Sequence, residues 1–330
     1  MTGAKLKFLW LDDNPHRQKL AGDVEVATGV EVSFCNLKNE NLTTVLPELL
    51  HSKPRQLVVI DHILDKLNNK SQNRITSRGS TVAELFREHW PWCPVVGITA
   101  AEKWKDVDQR ESAMYDELYR SDKFGDFIED LPILANGFAR IKRMRRRSAT
   151  SLIGLLDPPE DEADRILNVL PDELLMNPDD PSVATRFYAW LRDPFFNRPG
   201  FLYERLWTTT LLGLREESFE KVEHLFEPAK YAGVFACPSR ERWWATSLRS
   251  ILRKETNDRG GEMPWELGRK LKGIKEEDFS RCYRSGESFP ETVAYLDESS
   301  EKRYPMRLKH TAPHPKYQDL LFFEQIRMMA

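Results

Sequence analysis

No apolar run in this 330-residue chain approaches the ~20 residues that a membrane-spanning helix needs, which argues against a membrane protein. A surplus of one charge is missing too: the net charge is -3, neither half is strongly basic, and the electrostatic footprint of a nucleic-acid surface is absent. One short basic run (Arg140, Lys142, Arg143, Arg145, Arg146, Arg147) reads as a solvated helix end. The four cysteines, Cys35, Cys93, Cys237 and Cys282, are far apart and contain no CxxC pair, which excludes a disulfide framework or a zinc ribbon. They are expected to be reduced and mostly buried. Also absent are HExxH, GxSxG and a phosphate-cradling P-loop, and with them the commonest zinc-peptidase, serine-hydrolase and nucleotide-hydrolase readings. Residues 1–7 lead directly into the first apolar run, so a cytoplasmic location is expected.

What the chain does have is length and apolar content for two domains, 40% of its residues being hydrophobic, and a set of apolar runs that stop abruptly in acids. Residues 57–60, Leu-Val-Val-Ile, end in Asp61; residues 8–11, Phe-Leu-Trp-Leu, end in Asp12 and Asp13. A third run, 94–98, ends in Thr99. Helical spacing lies between them, as in Leu42, Val45, Leu46, Leu49 and Leu50, and again over 82–87. Alternation of strand and helix predicts a parallel sheet with right-handed crossovers. Since all strands of such a sheet end on one edge, Asp12, Asp13, Asp61 and Thr99 are expected to meet in a cleft there. Val30 to Phe34 alternates as an edge strand would, 117–120 is the candidate fifth strand, and 124–138 the helix after it. Residues 65–74, rich in Asn and Lys, read as a surface loop inserted beside the cleft.

Three carboxylates brought together raise one another's pKa unless a cation offsets them, and an oxygen-only, solvent-facing ligand set suits Mg²⁺ completed by a phosphate. The order of these residues, an acid pair after the first strand, one acid after the third and Thr after the fourth, resembles the receiver domain of bacterial response regulators over residues 5–145. The resemblance implies a flavodoxin-like α/β fold for a domain at 1–147 and Mg²⁺ held by Asp12, Asp13 and Asp61. It further implies that Asp61 accepts a phosphoryl group from a histidine kinase or small phosphodonor and that Thr99 hydrogen-bonds it. The sequence departs from the family at the end of the fifth strand. Receivers carry Lys there, whereas Arg120 best matches that position, and a guanidinium fork is not an ammonium. Loss of switching would leave a pseudo-receiver, an adaptor that only docks protein partners. A third reading makes the carboxyl half an effector enzyme under receiver control, in a bacterial defence or stress system.

Residues 148–330 read as a mainly helical second domain of no recognised family. Helical spacing covers 185–192, 202–214, 219–226 and 240–254, and a strand pair is expected from 292–296 and 306–310. Trp190, Trp207, Trp243, Trp244 and Trp265 read as core. A Cys₂His₂ set of Cys237, Cys282, His310 and His314 can be drawn, as can a Cys-His nucleophile pair, but Pro313 and Pro315 bracket His314 and break the helix that would aim both imidazoles together. The tail from Tyr317 to Met328 has the spacing of an apolar helix, expected to pack on this domain or to pair with a second copy in a homo-oligomer. No helix-turn-helix pattern supports DNA as a partner.

Overall fold

The computed structural model describes residues 5–37, 42–64, 77–145, 147–177, 180–297, 302–317, 322 and 325–329. The chain separates into two compact units, the first made of residues 1–148 and 172–189, the second of 149–171 and 190–330. No helix among the described residues is long and apolar enough to cross a membrane.

The first unit is built on β1 (Lys7–Asp12), α1 (Arg17–Thr28), β2 (Glu31–Asn36), α2 (Leu42–His51), β3 (Leu57–Asp61), α3 (Gly79–His89), β4 (Val95–Thr99), β5 (Glu117–Arg120) and α4 (Asp130–Lys142). The five strands form one parallel sheet in the order β2-β1-β3-β4-β5. That is the flavodoxin-like doubly wound order. The two central apolar runs are buried on both faces of the sheet, which is why they read as unbroken hydrophobic stretches. Leu9, Leu11, Val58 and Ile60 point to one side and pack with Leu46, Val82, Ala83 and Phe86 of α2 and α3. Their neighbour Trp10 points to the other side and meets Phe124 edge-on at 5.5 Å between ring centroids. Helix α1 stops at Gly29, whose φ of 71° lets its N–H donate back to the Glu25 carbonyl. The polar stretch 65–74 lies outside the described residues; the residues flanking it, Ile63–Leu64 and Ser77–Arg78, pair as a two-residue antiparallel ribbon.

The second unit is richer in β structure than its periodicity predicts. Leu202–Glu204 (β6) and Arg242–Trp244 (β7) pair antiparallel, so the helices expected from 202 and 240 begin only at Arg205–Leu211 (α5) and Ala245–Thr256 (α6). Of the helix expected over 219–226, one turn (Glu216–Phe219) and a 3₁₀ segment (Glu223–Ala229) are formed. Three-residue strands running straight into helices leave no alternation long enough to register, and their buried Trp243 and Trp244 fit either period. The expected strand pair is present as β8 (Thr292–Asp297) and β9 (Lys302–Arg307), the partner strand lying a few residues earlier than 306–310. It extends into a four-stranded sheet, β9-β8-β11-β10, by adding Thr311–Pro313 (β10) and Arg327–Met329 (β11). The expected tail helix is therefore corrected at its end, where Arg327–Met329 is a strand pairing with both β8 and β10; residues 318–321 and 323–324 lie outside the described residues. A core of Trp207, Phe219, Phe226, Trp243, Leu248 and Leu252, among others, fills the unit. Trp207, Trp243 and Trp244 are buried, whereas Trp190 and Trp265 are half-buried.

Candidate functional site

The carboxyl edge of the parallel sheet collects the acids. Asp12 is the last residue of β1 and Asp13 follows it; Asp61 is the last residue of β3, beside Ile98 in the register of β4. Each of the three offers a carboxylate oxygen within 4.8 Å of the other two, and among the described residues this is the one such group of three or more His, Cys, Asp or Glu. Asp12 and Asp13 are buried and Asp61 half-buried.

Burial raises the pKa of two of these acids. It pushes the Asp12 carboxyl up to about 6, against hydrogen bonds from the Asn14 N–H (2.8 Å) and the Trp10 indole N–H (3.3 Å) and against the charge of Arg17. Burial and then the neighbouring Asp12 push Asp61 up to about 7, again with Arg17 pulling the other way. A cluster in which Asp12 and Asp61 are held this far above the ordinary range has a standing demand for positive charge. Its donors are all hard carboxylate oxygens on one open edge, the set that suits Mg²⁺.

Thr99 ends β4, fully buried, and its hydroxyl has no hydrogen-bond partner among the described residues. A buried hydroxyl without a partner is costly, and one at this edge is available to an incoming oxygen. Arg120 lies one strand further, opposite Thr99 in register, and its guanidinium binds Asp122 in a two-point pair at 3.1 and 2.7 Å. The cation whose field lowers both Asp12 and Asp61 is instead Arg17, the first residue of α1.

Sequence reasoning missed Arg17, although its place four residues after Asp13, where the chain turns from strand to helix, is a usable signal. It also missed His62, directly after Asp61 and completely buried. The His62 Nδ1 lies 3.2 Å from the Tyr115 hydroxyl and its Nε2 3.4 Å from one Glu111 oxygen, while the other Glu111 oxygen pairs with Arg78 at 3.3 Å. Burial drives the imidazole below its ordinary pKa, with Glu111 opposing. Gly79, at the start of α3, is required by close approach: a Cβ there would stand 2.2 Å from the Asp61 carbonyl oxygen and 2.8 Å from the Tyr115 hydroxyl. Nothing in a sequence pattern reveals that contact.

The cysteines form no disulfide. Cys282 Sγ lies 3.5 Å from His310 Nδ1, while Cys237 pairs with the Ser239 hydroxyl at 3.0 Å and His314 Nδ1 accepts from the Lys316 N–H at 3.2 Å. Two of the four drawn together do not make a zinc site.

No family model matches the chain, and no curated protein matches it. Among solved structures it is similar to response regulator TrrA from Thermotoga maritima in complex with Mg²⁺–BeF, at 19% identity over 38% of this chain and 98% of that one, with a TM-score of 0.27. A response regulator receiver domain protein from Clostridium thermocellum matches at 15% identity over 38% of this chain and 93% of that one, TM-score 0.28. The receiver domain of Francisella response regulator 1452 matches at 16% over 40% and 98%, TM-score 0.29. By its own strand order, with acids at the ends of β1 and β3, the first unit has the flavodoxin-like doubly wound fold.

Proposed function

We propose that the first unit is a phosphorylation-responsive receiver that binds Mg²⁺ through Asp12, Asp13 and Asp61 and accepts a phosphoryl group on Asp61, thereby regulating the second unit. The observation that carries this reading is the convergence of three oxygen ligands on one sheet edge, two of them, Asp12 and Asp61, with pKa values raised by burial. Mg²⁺ when bound would neutralise those carboxylates and the oxygens of the transferring group. In the ionised state that Arg17 favours, an Asp61 oxygen forms a new bond to phosphorus as the donor's P–N or P–O bond breaks. The donor is a phosphohistidine on a partner kinase or a small acyl phosphate. Thr99 supplies its unsatisfied hydroxyl to a phosphoryl oxygen, and its movement repacks the end of β4. Arg120 can add its charge only by leaving Asp122, so the pair acts as the resistance of the switch.

The same pair favours a second reading, a docking adaptor that does not switch, because Arg120 is already satisfied without a phosphate. Incubation with Mg²⁺ and acetyl phosphate separates the two. The receiver reading expects one added phosphate by mass, absent in Asp61→Asn; an unmodified wild-type protein leaves the adaptor.

A further inference from the structure

In the second unit, a cavity of about 240 Å³ opens where α5 faces β8. Trp207, Trp265 and Tyr203 line it together with the guanidinium-bearing side chains of Arg249 and Arg327. A smaller cavity of about 100 Å³ shares Pro199, Trp207, Ala294, Gln325 and Arg327 with it and adds Arg198 and Arg303. Together they reach the lower end of the ~300–1,000 Å³ range of small-molecule sites.

Positive side chains predominate in the described lining of this cleft. Four arginines line the two cavities and, among the described residues, no carboxylate does. Arg303 reaches one from outside, Glu204 at 3.8 Å, and lies with its guanidinium carbon 4.6 Å from the Trp207 ring centroid. Arg249 is held by neutral groups: it donates to the Tyr203 hydroxyl at 3.2 Å, which itself donates to the Gln325 side-chain oxygen at 2.5 Å. Arg327 donates to the Thr311 hydroxyl and carbonyl, and burial pulls its pKa below the ordinary arginine value. Thr292, also lining the larger cavity, is buried with a hydroxyl that finds no partner among the described residues. The Arg249 guanidinium, held by neutral groups, calls for an anion with planar oxygens, the indole walls for a flat ring, and the Thr292 hydroxyl for a polar edge.

We propose that this cleft binds a nucleotide, its phosphate on Arg249 and Arg303 and its base against Trp207 and Trp265. A mononucleotide fits the confined volume, whereas a polymer would need an open track.

The test titrates the full-length protein with AMP, GMP, CMP and UMP, following tryptophan emission and thermal unfolding, with adenosine, inorganic phosphate and a short single-stranded oligonucleotide as separate arms. At least one nucleotide is expected to saturate and to raise the unfolding temperature. Phosphate alone and nucleoside alone are expected to bind at least about tenfold more weakly, and Arg249→Gln to weaken the nucleotide by about tenfold. If Arg249→Gln does not fold, Arg249→Lys replaces it; that variant keeps the charge, loses the fork and is expected to weaken binding to a lesser degree. Absence of binding by all four nucleotides at several millimolar overturns the proposal. So does phosphate binding as tightly as nucleotide, an oligonucleotide binding where mononucleotides do not, or affinity unchanged in the Arg249 variant and in Arg303→Gln.

Discussion

Asp61 in the first unit and Asp278 in the second are both carboxylates drawn into the protein, and they end with opposite acidities. Burial works to raise Asp278, but hydrogen bonds from Lys221 (2.5 Å), the Lys275 N–H (3.0 Å) and Ser218 (2.9 Å) outweigh it and hold the acid below its ordinary value. Asp61 receives one long hydrogen bond, from the Ile63 N–H at 3.5 Å, and two acidic neighbours. A carboxylate that serves the fold is given its cation by the chain. One left short of positive charge at a strand edge keeps a raised pKa, as Asp61 does.

The largest effect that would sharpen this contrast is at Asp278. Asp278→Asn removes the charge that three donors converge on and is expected to cost the second unit about 2 kcal/mol, read as a lowered unfolding temperature. A drop of similar size from Asp61→Asn would erase the distinction. We expect the reverse sign there: relief of repulsion and of charge burial should raise metal-free stability at pH 8 by about 1 kcal/mol.

Gly79→Ala tests whether the acid edge is a built structure. With the new methyl 2.2 Å from the Asp61 carbonyl, either α3 or the end of β3 must move, at about 1–3 kcal/mol. The variant should also bind metal more weakly than wild type. Full affinity would mean that the edge tolerates displacement.

The pH dependence carries the same contrast with a worked sign. Asp61 titrates near 3.8 unfolded and about 7 folded, so between those values the folded state holds the proton that the unfolded state has lost. Its contribution to stability is complete below pH 3.8 and is lost as pH rises through about 7; Asp12 loses its own through about 6. Asp278, lowered by folding, contributes above 3.8 and loses that contribution only in acid. Urea midpoints measured without metal should therefore fall from pH 5 to pH 8 in wild type and fall less in Asp61→Asn. Parallel profiles in the two proteins would contradict the assignment. The smallest effect is expected at Arg120→Lys, which should change Mg²⁺ affinity by less than about twofold, since Arg120 is engaged with Asp122.

The parallel sheet was legible because its strands are buried on both faces and end in abrupt polarity, so Leu57 to Asp61 and Phe8 to Asp12 announce the fold and the meeting of the acids at one edge. What could not be read is what depends on distance across the chain. The field of Arg17 on Asp61, the His62–Glu111 contact and the closeness of Gly79 to the Asp61 carbonyl each join residues whose spacing carries no period. In the second unit the failure was one of length: β6, β7 and β11 have three residues each, too few for alternation to compete with the helical spacing beside them.

The most direct measurement is calorimetric titration of the metal-free protein with Mg²⁺ at pH 8, with Trp10 emission followed in parallel because its indole donates to Asp12. The account predicts one saturable site, weakened at least about tenfold (~1.4 kcal/mol) in Asp12→Asn and in Asp13→Asn, and beryllofluoride binding that requires Mg²⁺ and Asp61. No heat and no emission change up to several millimolar Mg²⁺, or equal binding by the amide variants, would contradict it.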